Sequence, residues 1–165
     1  MKETDYLVGN LKIAEDLKKM PVFEPFTQDE LQTLLSMSKL RRYKAGETII
    51  QEGNLDSWVY FLVSGKAEIT QKGKTLAVID RPGNIFGEMR FIDNAPRSAA
   101  ATAKVETVCI AVDGDYVDKL SSKDKVTFGY ILYRVISEIL VERLRWTTKE
   151  MMALKGKKGI SFWKK

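Results

Sequence analysis

The chain has 165 residues, 44% hydrophobic and 30% charged, which suits one soluble globular domain with a buried core. Histidine is absent and cysteine occurs once, excluding His-based triads, histidine metal clusters, imidazole acid–base chemistry and any internal disulfide. The net charge of +5 is local: residues 155–165 hold five lysines and no acid, and the remainder balances at 22 against 22. No apolar run approaches a membrane span, and the N-terminus lacks the basic start and apolar core of a signal peptide. A cytoplasmic setting follows, with Cys109 as a small core residue between Val108 and Ile110.

Residues 1–26 read as a helical entry segment. Leu11, Ile13, Ala14 and Leu17 recur at helical spacing until Pro21 stops them. Thr27 followed by Glu30 is a capping box, predicting a helix over 28–38 with Leu31, Leu34, Leu35 and Met37 inward. From residue 40 the period changes. Eight short β-rich runs, at 40–43, 48–51, 58–64, 67–71, 75–79, 85–86, 99–104 and 107–112, alternate with glycine-containing turns. They predict a closed or folded β structure. Each glycine reads as a turn residue, and only at Gly87 does that reading fall short. A short helix is expected from about 114 to 120, with Ser122 as an N-cap candidate for the next. Phe128, Ile131, Leu132, Val135, Ile136, Ile139, Leu140 and Leu144 then mark a long amphipathic helix reaching about 154. Its early part is expected to pack on the β structure and its later part to pair with a second copy.

The stretch from 85 to 103 has the parts of a small-anion site. Gly87 leaves room at the backbone, and residues 88–92 can form one helical turn whose free N–H groups favour an anion. Asn94-Ala95-Pro96 turns the chain back, and Arg97 offers a guanidinium fork suited to a phosphate. Ser98 adds a hydroxyl, and the small residues from Ala99 allow close approach. Glu88 repels a phosphate, so it implies a ligand that also carries a hydroxyl donor, such as a ribose. Anion plus ribose is a nucleotide.

Phe86-Gly87-Glu88 and Pro96-Arg97-Ser98-Ala99, in that order, closely resemble the phosphate-binding cassette of the cyclic nucleotide-binding domain family. The resemblance implies an α+β fold: an eight-stranded β-roll over about 40–113, flanked by N-terminal helices and a long C-terminal helix, with 27–154 as the domain and 155–165 as a basic tail. It also implies a ligand site at Phe86, Gly87, Glu88, Met89, Arg90, Arg97, Ser98 and Ala99. Arg97 would neutralise the cyclic phosphate and Glu88 would hold the ribose hydroxyl. Arg90 stands where the family usually has a small residue. It is read either as a second positive contact, as an arginine that fills the empty site, or as a solvent-facing side chain.

Residues 142–149 resemble the long helix of bacterial catabolite-activator-type regulators, which place a hydroxyl pair after Arg-Leu. Thr147 and Thr148 match that pair, which bonds the adenine with one residue from each subunit of a dimer. Trp146 has two readings, a lid over the base or a dimer or core contact. Ser98 with the two threonines points to cAMP, with cGMP as the alternative, and Ala77 and Val78 are candidates for the base pocket. The expected partners are a cyclic nucleotide, a second copy through the C-terminal helix and a downstream protein of unknown identity. The bacterial regulators continue into a helix-turn-helix; no recognition helix is legible here, so sequence-specific DNA binding is not expected. No catalytic residue, metal site or cofactor is expected. A nucleotide-independent interaction module with the same fold is the competing reading. Weak binding of nucleic acid or membrane by the tail, where Phe162 and Trp163 sit among lysines, is a further one.

Overall fold

A computed structural model describes residues 1–89, 92, 95–119 and 121–155. Arg90, Phe91, Asp93, Asn94, Leu120 and residues 156–165 therefore lie outside the described residues, and with them part of the expected cassette turn and all of the basic tail but Lys155. The chain begins with β1 (Lys2–Tyr6), α1 (Leu11–Lys18) and α2 (Gln28–Ser36). The strands β2 (Ser38–Tyr43), β3 (Thr48–Ile50), β4 (Trp58–Ser64), β5 (Ala67–Gln71) and β6 (Lys74–Ile79) follow. After β7 (Ile85–Phe86), β8 (Ala100–Ala103) and β9 (Thr107–Asp113) come a 3-10 helix (Gly114–Lys119) and the long α3 (Ser122–Lys155). The strands form two antiparallel sheets, ordered β1-β2-β9-β4-β7 and β3-β8-β5-β6. This is the α+β roll with flanking helices that the sequence implies, and each of the eight predicted β runs is a strand.

The central strands β4 and β9 of the five-stranded sheet are apolar on both faces because they serve two cores. Successive side chains of a strand point to opposite sides. In β4, Val59 and Phe61 join the helices, while Tyr60 and Leu62 enter the roll. In β9, Ile110 and Val112 go to the helices, while Cys109 and Ala111 go inside. Cys109 is thus the small interior residue its neighbours suggested, and burial pushes its thiol up to about 12. In β7, Ile85 faces the helices and Phe86 the roll interior. Phe86 stacks on Tyr60, its register partner, at 5.3 Å between ring centroids.

The helices cover the outer face. Thr27 caps α2 as expected: its hydroxyl accepts from the Glu30 N–H, and its own N–H donates to Glu30 Oε2 at 2.7 Å. Phe128, Ile131, Leu132, Val135 and Ile136 of α3 are buried in one cluster with Leu31, Leu34 and Leu35 of α2. Beyond Ile136 that burial ends. Ile139 is half-buried, and Leu140 and Leu144 are 41% and 60% exposed. The stripe therefore has a core half and an uncovered half.

Four local expectations are corrected. The entry segment contains a strand as well as a helix. Lys2–Tyr6 has no apolar alternation, and its pairing with β2 is supported by ion pairs from Glu3 to Lys39 and Arg41, partners far away in sequence. Helix α2 stops at Ser36, because Ser38 already belongs to β2 and its hydroxyl donates back to the Leu34 carbonyl. The residue that caps α3 is Ser121, not Ser122: Ser121 Oγ accepts from the Asp124 N–H at 3.2 Å. At Gly65 a turn is not the whole reason for glycine. Its φ is +94°, and a Cβ there would overlap the backbone of Glu106 and Thr107.

No helix among the described residues is long and apolar enough to cross a membrane. The division of α3 sets a test. Leu132→Ala should lower unfolding free energy by about 2–5 kcal/mol, because it opens a cavity in the main core. Val126→Ala, at a position 74% exposed, should stay within about 0.5 kcal/mol of wild type in the same urea titration.

Candidate functional site

Arg97 is gripped from every side. Its N–H donates to the Asn54 carbonyl at 2.9 Å, and its carbonyl accepts from Gly53 N–H at 2.8 Å. The guanidinium donates through Nη2 to Asp56 Oδ1 and to the Trp58 carbonyl, and through Nη1 to the Gly87 carbonyl, each at 2.5 Å. Only 2% of the side chain is exposed. A buried cation is tolerated when its partners replace water, and here one carboxylate and two carbonyls do so.

Gly87 makes this arrangement fit. Its φ is +80°, and a Cβ would stand 2.9 Å from both Arg97 Nη1 and Ile50 Cδ1. The sequence reading left room at Gly87 for a ligand; in the structure that clearance also accommodates Arg97 and Ile50, and Gly87 lines an adjacent cavity. The Arg97 fork, expected to meet a phosphate, serves protein acceptors in this structure and also lines that cavity.

Glu88 follows Gly87 and is equally buried, with its side chain 3% exposed. Arg143 of α3 supplies its partner. Nη1 donates to Glu88 Oε1 and Nη2 to the Ile85 carbonyl, both at 2.5 Å. Arg143 itself is 41% exposed, so it reaches in from the rim. One ion pair and one hydrogen bond to a carbonyl thus fasten the uncovered half of α3 to the cassette.

Between these groups lies a cavity of about 740 Å³, walled by the four-stranded sheet, the cassette and α3. Among the predicted site residues, Phe86, Gly87, Glu88 and Met89 line one side of it. Arg97, Ser98 and Ala99 line another, and Thr147 faces it from α3. Thr148 is half-buried and does not line the cavity of its own chain. Arg90 lies outside the described residues. Ala77 and Val78, expected at the base pocket, are wall residues together with Leu76. Trp146 also lines the cavity while remaining 64% exposed, which places it at the mouth. Charged and polar groups on the cassette and α3, with apolar walls from the four-stranded sheet, suit a ligand with an anionic part and a flat apolar part.

Sequence reasoning missed two residues of this site. Arg143 carries a legible signal: it stands one helical turn before Thr147, and Ile139, Arg143 and Thr147 share a face. Asp56 carries none, since it sits in a loop without periodicity and meets Arg97 only in three dimensions. Among the described residues no group of three or more His, Cys, Asp or Glu is placed to hold a metal ion.

The sequence model of the cyclic nucleotide-binding domain matches residues 40–124, just over half of the chain. The chain belongs to that family. Domains of this family are non-catalytic regulatory modules that bind cyclic nucleotides. The match contains the cassette, Asp56 and Arg97; the segment carrying Arg143, Trp146 and Thr147 lies beyond it. The chain is 30% identical over 141 residues to a cGMP-dependent protein kinase of Eimeria tenella, covering 83% of this chain and 14% of the kinase. It is 35% identical over 101 residues to the cyclic AMP receptor protein of Thermus thermophilus, covering 58% of this chain and 46% of that protein. The chain therefore spans less than half the length of either curated relative. A cyclic nucleotide-binding domain from Methylobacillus flagellatus shares its fold, with a TM-score of 0.76 over 96% of this chain and 92% of the other at 22% identity. The catabolite activator protein of Thermus thermophilus superposes with a TM-score of 0.63 over 82% of this chain and 63% of that one, at 29% identity.

Gly87→Ala probes the cassette directly. The added methyl strains a left-handed backbone and pushes on Arg97, so stability should fall by at least about 1 kcal/mol in chemical denaturation. Cyclic nucleotide affinity should fall with it in a parallel titration.

Proposed function

We propose that this domain is a cyclic nucleotide sensor whose preferred ligand is cAMP and whose output is the position of α3. One observation carries the reading: Glu88 and Arg97, both buried, flank a cavity that α3 closes through Arg143. The cyclic phosphate belongs beside Arg97 and the cassette backbone, the ribose hydroxyl beside Glu88, and the base among Val78, Trp146 and Thr147. The curated relatives include a cGMP-dependent kinase and a cyclic AMP receptor protein, so relatives alone do not choose the nucleotide. Ser98 and Thr147 at the cavity favour cAMP, because their hydroxyls both donate and accept and so suit an amino group beside a ring nitrogen.

Signalling follows from shared partners. A ribose hydroxyl arriving at Glu88 meets a carboxylate that already accepts from Arg143. A phosphate arriving at Arg97 meets a cation that already serves Asp56 and two carbonyls. Binding must exchange or share these bonds, and exchange at Glu88 acts on the helix. Only a difference in nucleotide affinity between helix positions shifts their populations.

The same in-chain partnerships favour a second reading, an interaction module that keeps its fold without nucleotide. Calorimetric titration of nucleotide-stripped protein with cAMP and, separately, cGMP separates the two. The sensor reading expects saturable heat with cAMP the tighter ligand. Tighter cGMP reverses the choice of ligand, and heat from neither leaves the interaction module. In the binding case Arg97→Ala should weaken affinity by at least about tenfold, since a charge-assisted hydrogen bond contributes roughly 1.5–3 kcal/mol.

The uncovered half of α3 supports a homodimer. Leu140, Val141 and Leu144 are 41%, 46% and 60% exposed and share one side of the helix. A parallel partner helix would cover them and carry Thr148 toward the neighbouring cavity. Light scattering should give the mass of two chains for wild type and of one chain for a folded Leu144→Asp variant. A monomeric wild type, or an unchanged dimer in the variant, removes this helix from the interface.

A further inference from the structure

Strand β1 lies before the segment that matches the family, yet it reaches the cassette through one buried arginine. Arg41 of β2 pairs with Cys109 of β9, so its side chain enters the roll on the interior face. It is 8% exposed. A cation there needs partners, and it has three. Nε donates to Glu3 Oε2 at 2.7 Å, Nη1 donates to the Tyr60 hydroxyl at 3.0 Å, and the guanidinium lies 3.7 Å from the centroid of the Trp58 ring. Glu3 is the residue of β1 directly opposite Arg41 in the strand register.

Two of these partners are one step from the ligand site. The Trp58 carbonyl accepts from Arg97. The Tyr60 ring stacks on Phe86, the residue before Gly87. Burial raises the Tyr60 hydroxyl above its ordinary range, and the neutral hydroxyl accepts from Arg41 through a lone pair. Trp58 and Tyr60 alternate with Val59, so both point to the interior face that holds Arg41.

We infer that Arg41 is a positioning residue for the nucleotide site and that strand β1 acts on that site through the Glu3–Arg41 pair. The inference rests on the sensor reading for its ligand. The physical step is short. Without Glu3, a buried guanidinium loses its anion and must move toward water, away from the Trp58 ring. Trp58 then loses the cation over its face, and the peptide that helps orient Arg97 is less firmly placed. Lys39 provides the contrast. It donates to the other oxygen of Glu3 at 2.8 Å and helps hold β1, but the ring it covers is Tyr6, not Trp58.

The test uses the full chain, with cAMP and cGMP as probes. Arg41→Met and Glu3→Gln should bind the wild-type ligand roughly three- to tenfold more weakly, the range that coupling residues away from a ligand produce. Arg41→Lys keeps the charge and loses the fork, so it should fall between wild type and Arg41→Met. Lys39→Met should lower the melting temperature without moving affinity. A merely structural role predicts that all four variants shift melting and none shifts affinity, and that result overturns the assignment. Should Arg41→Met fail to fold, Glu3→Gln on the outer strand decides by the same criterion. Should wild type take neither nucleotide, the sensor reading fails on its own, and hydrogen exchange then decides the coupling. Faster exchange at residues 84–89 and 95–99 in Glu3→Gln than in wild type supports it, and unchanged exchange there sinks it.

Discussion

A guanidinium removed from water sets the terms for the rest of this molecule. Arg97 is a cation, and a side chain with 2% exposure leaves solvent little part in stabilising it. The protein must supply acceptors at hydrogen-bond distance, and it draws them from three separate segments: Asp56 from a loop, Trp58 from the start of β4 and Gly87 from the cassette. Each supplier is then constrained in turn. Gly87 must lack a side chain, Trp58 must begin a strand where its carbonyl points inward, and the loop at 53–54 must lie along the backbone of Arg97. Packing alone asks only for apolar residues of suitable volume. A buried charge asks for particular atoms at particular distances, and so constrains the geometry of the cassette.

Helix α3 belongs to two systems at once. Its first half is part of the main core, where loss of contact would cost several kcal/mol and no ligand of this size could move it. Its second half has lost that apolar attachment and is held at Glu88 and Ile85 by a single arginine. A carboxylate as buried as Glu88 cannot stand without a donor, but it does not specify which donor. In the proposed sensor, that indifference gives a ligand hydroxyl and the helix a common partner. The buried half sets the direction of the helix, and in the proposed sensor the lightly held half reports on the cavity. The 740 Å³ space sits where the second half faces the cassette and the four-stranded sheet.

The double-faced sheet explains both a success and a failure of sequence reading. The run from Trp58 to Val63 has no polar alternation, because one face meets helices and the other meets the second sheet. It still reads as a strand, from its β-branched and aromatic content and its bounding turns. Strand β1 shows the reverse case. Lys2–Tyr6 is nearly all polar, exposed along most of its length, and a strand only because β2 offers it hydrogen bonds and two cations. Local preference is silent there, and a partner 36 residues away in the chain decides.

What the sequence determined by itself were features with short-range causes. Turns, the Thr27 capping box, the apolar period of α3, and the ordered cassette residues all depend on neighbours within a few positions, so they are legible one window at a time. From them, with the family resemblance they carry, came the roll, the long helix and a candidate nucleotide site naming Glu88, Arg97 and Thr147. Tertiary structure alone decided the partners. Asp56 for Arg97, Arg143 for Glu88 and Glu3 for Arg41 are separated from their mates by 41, 55 and 38 residues. Arg143 lay on a legible helix face, but its target did not. Burial and charge complementarity arise only when the chain closes on itself, since the cost of an unpaired charge exists only where water has been excluded. No local pattern records which groups will be shut away together.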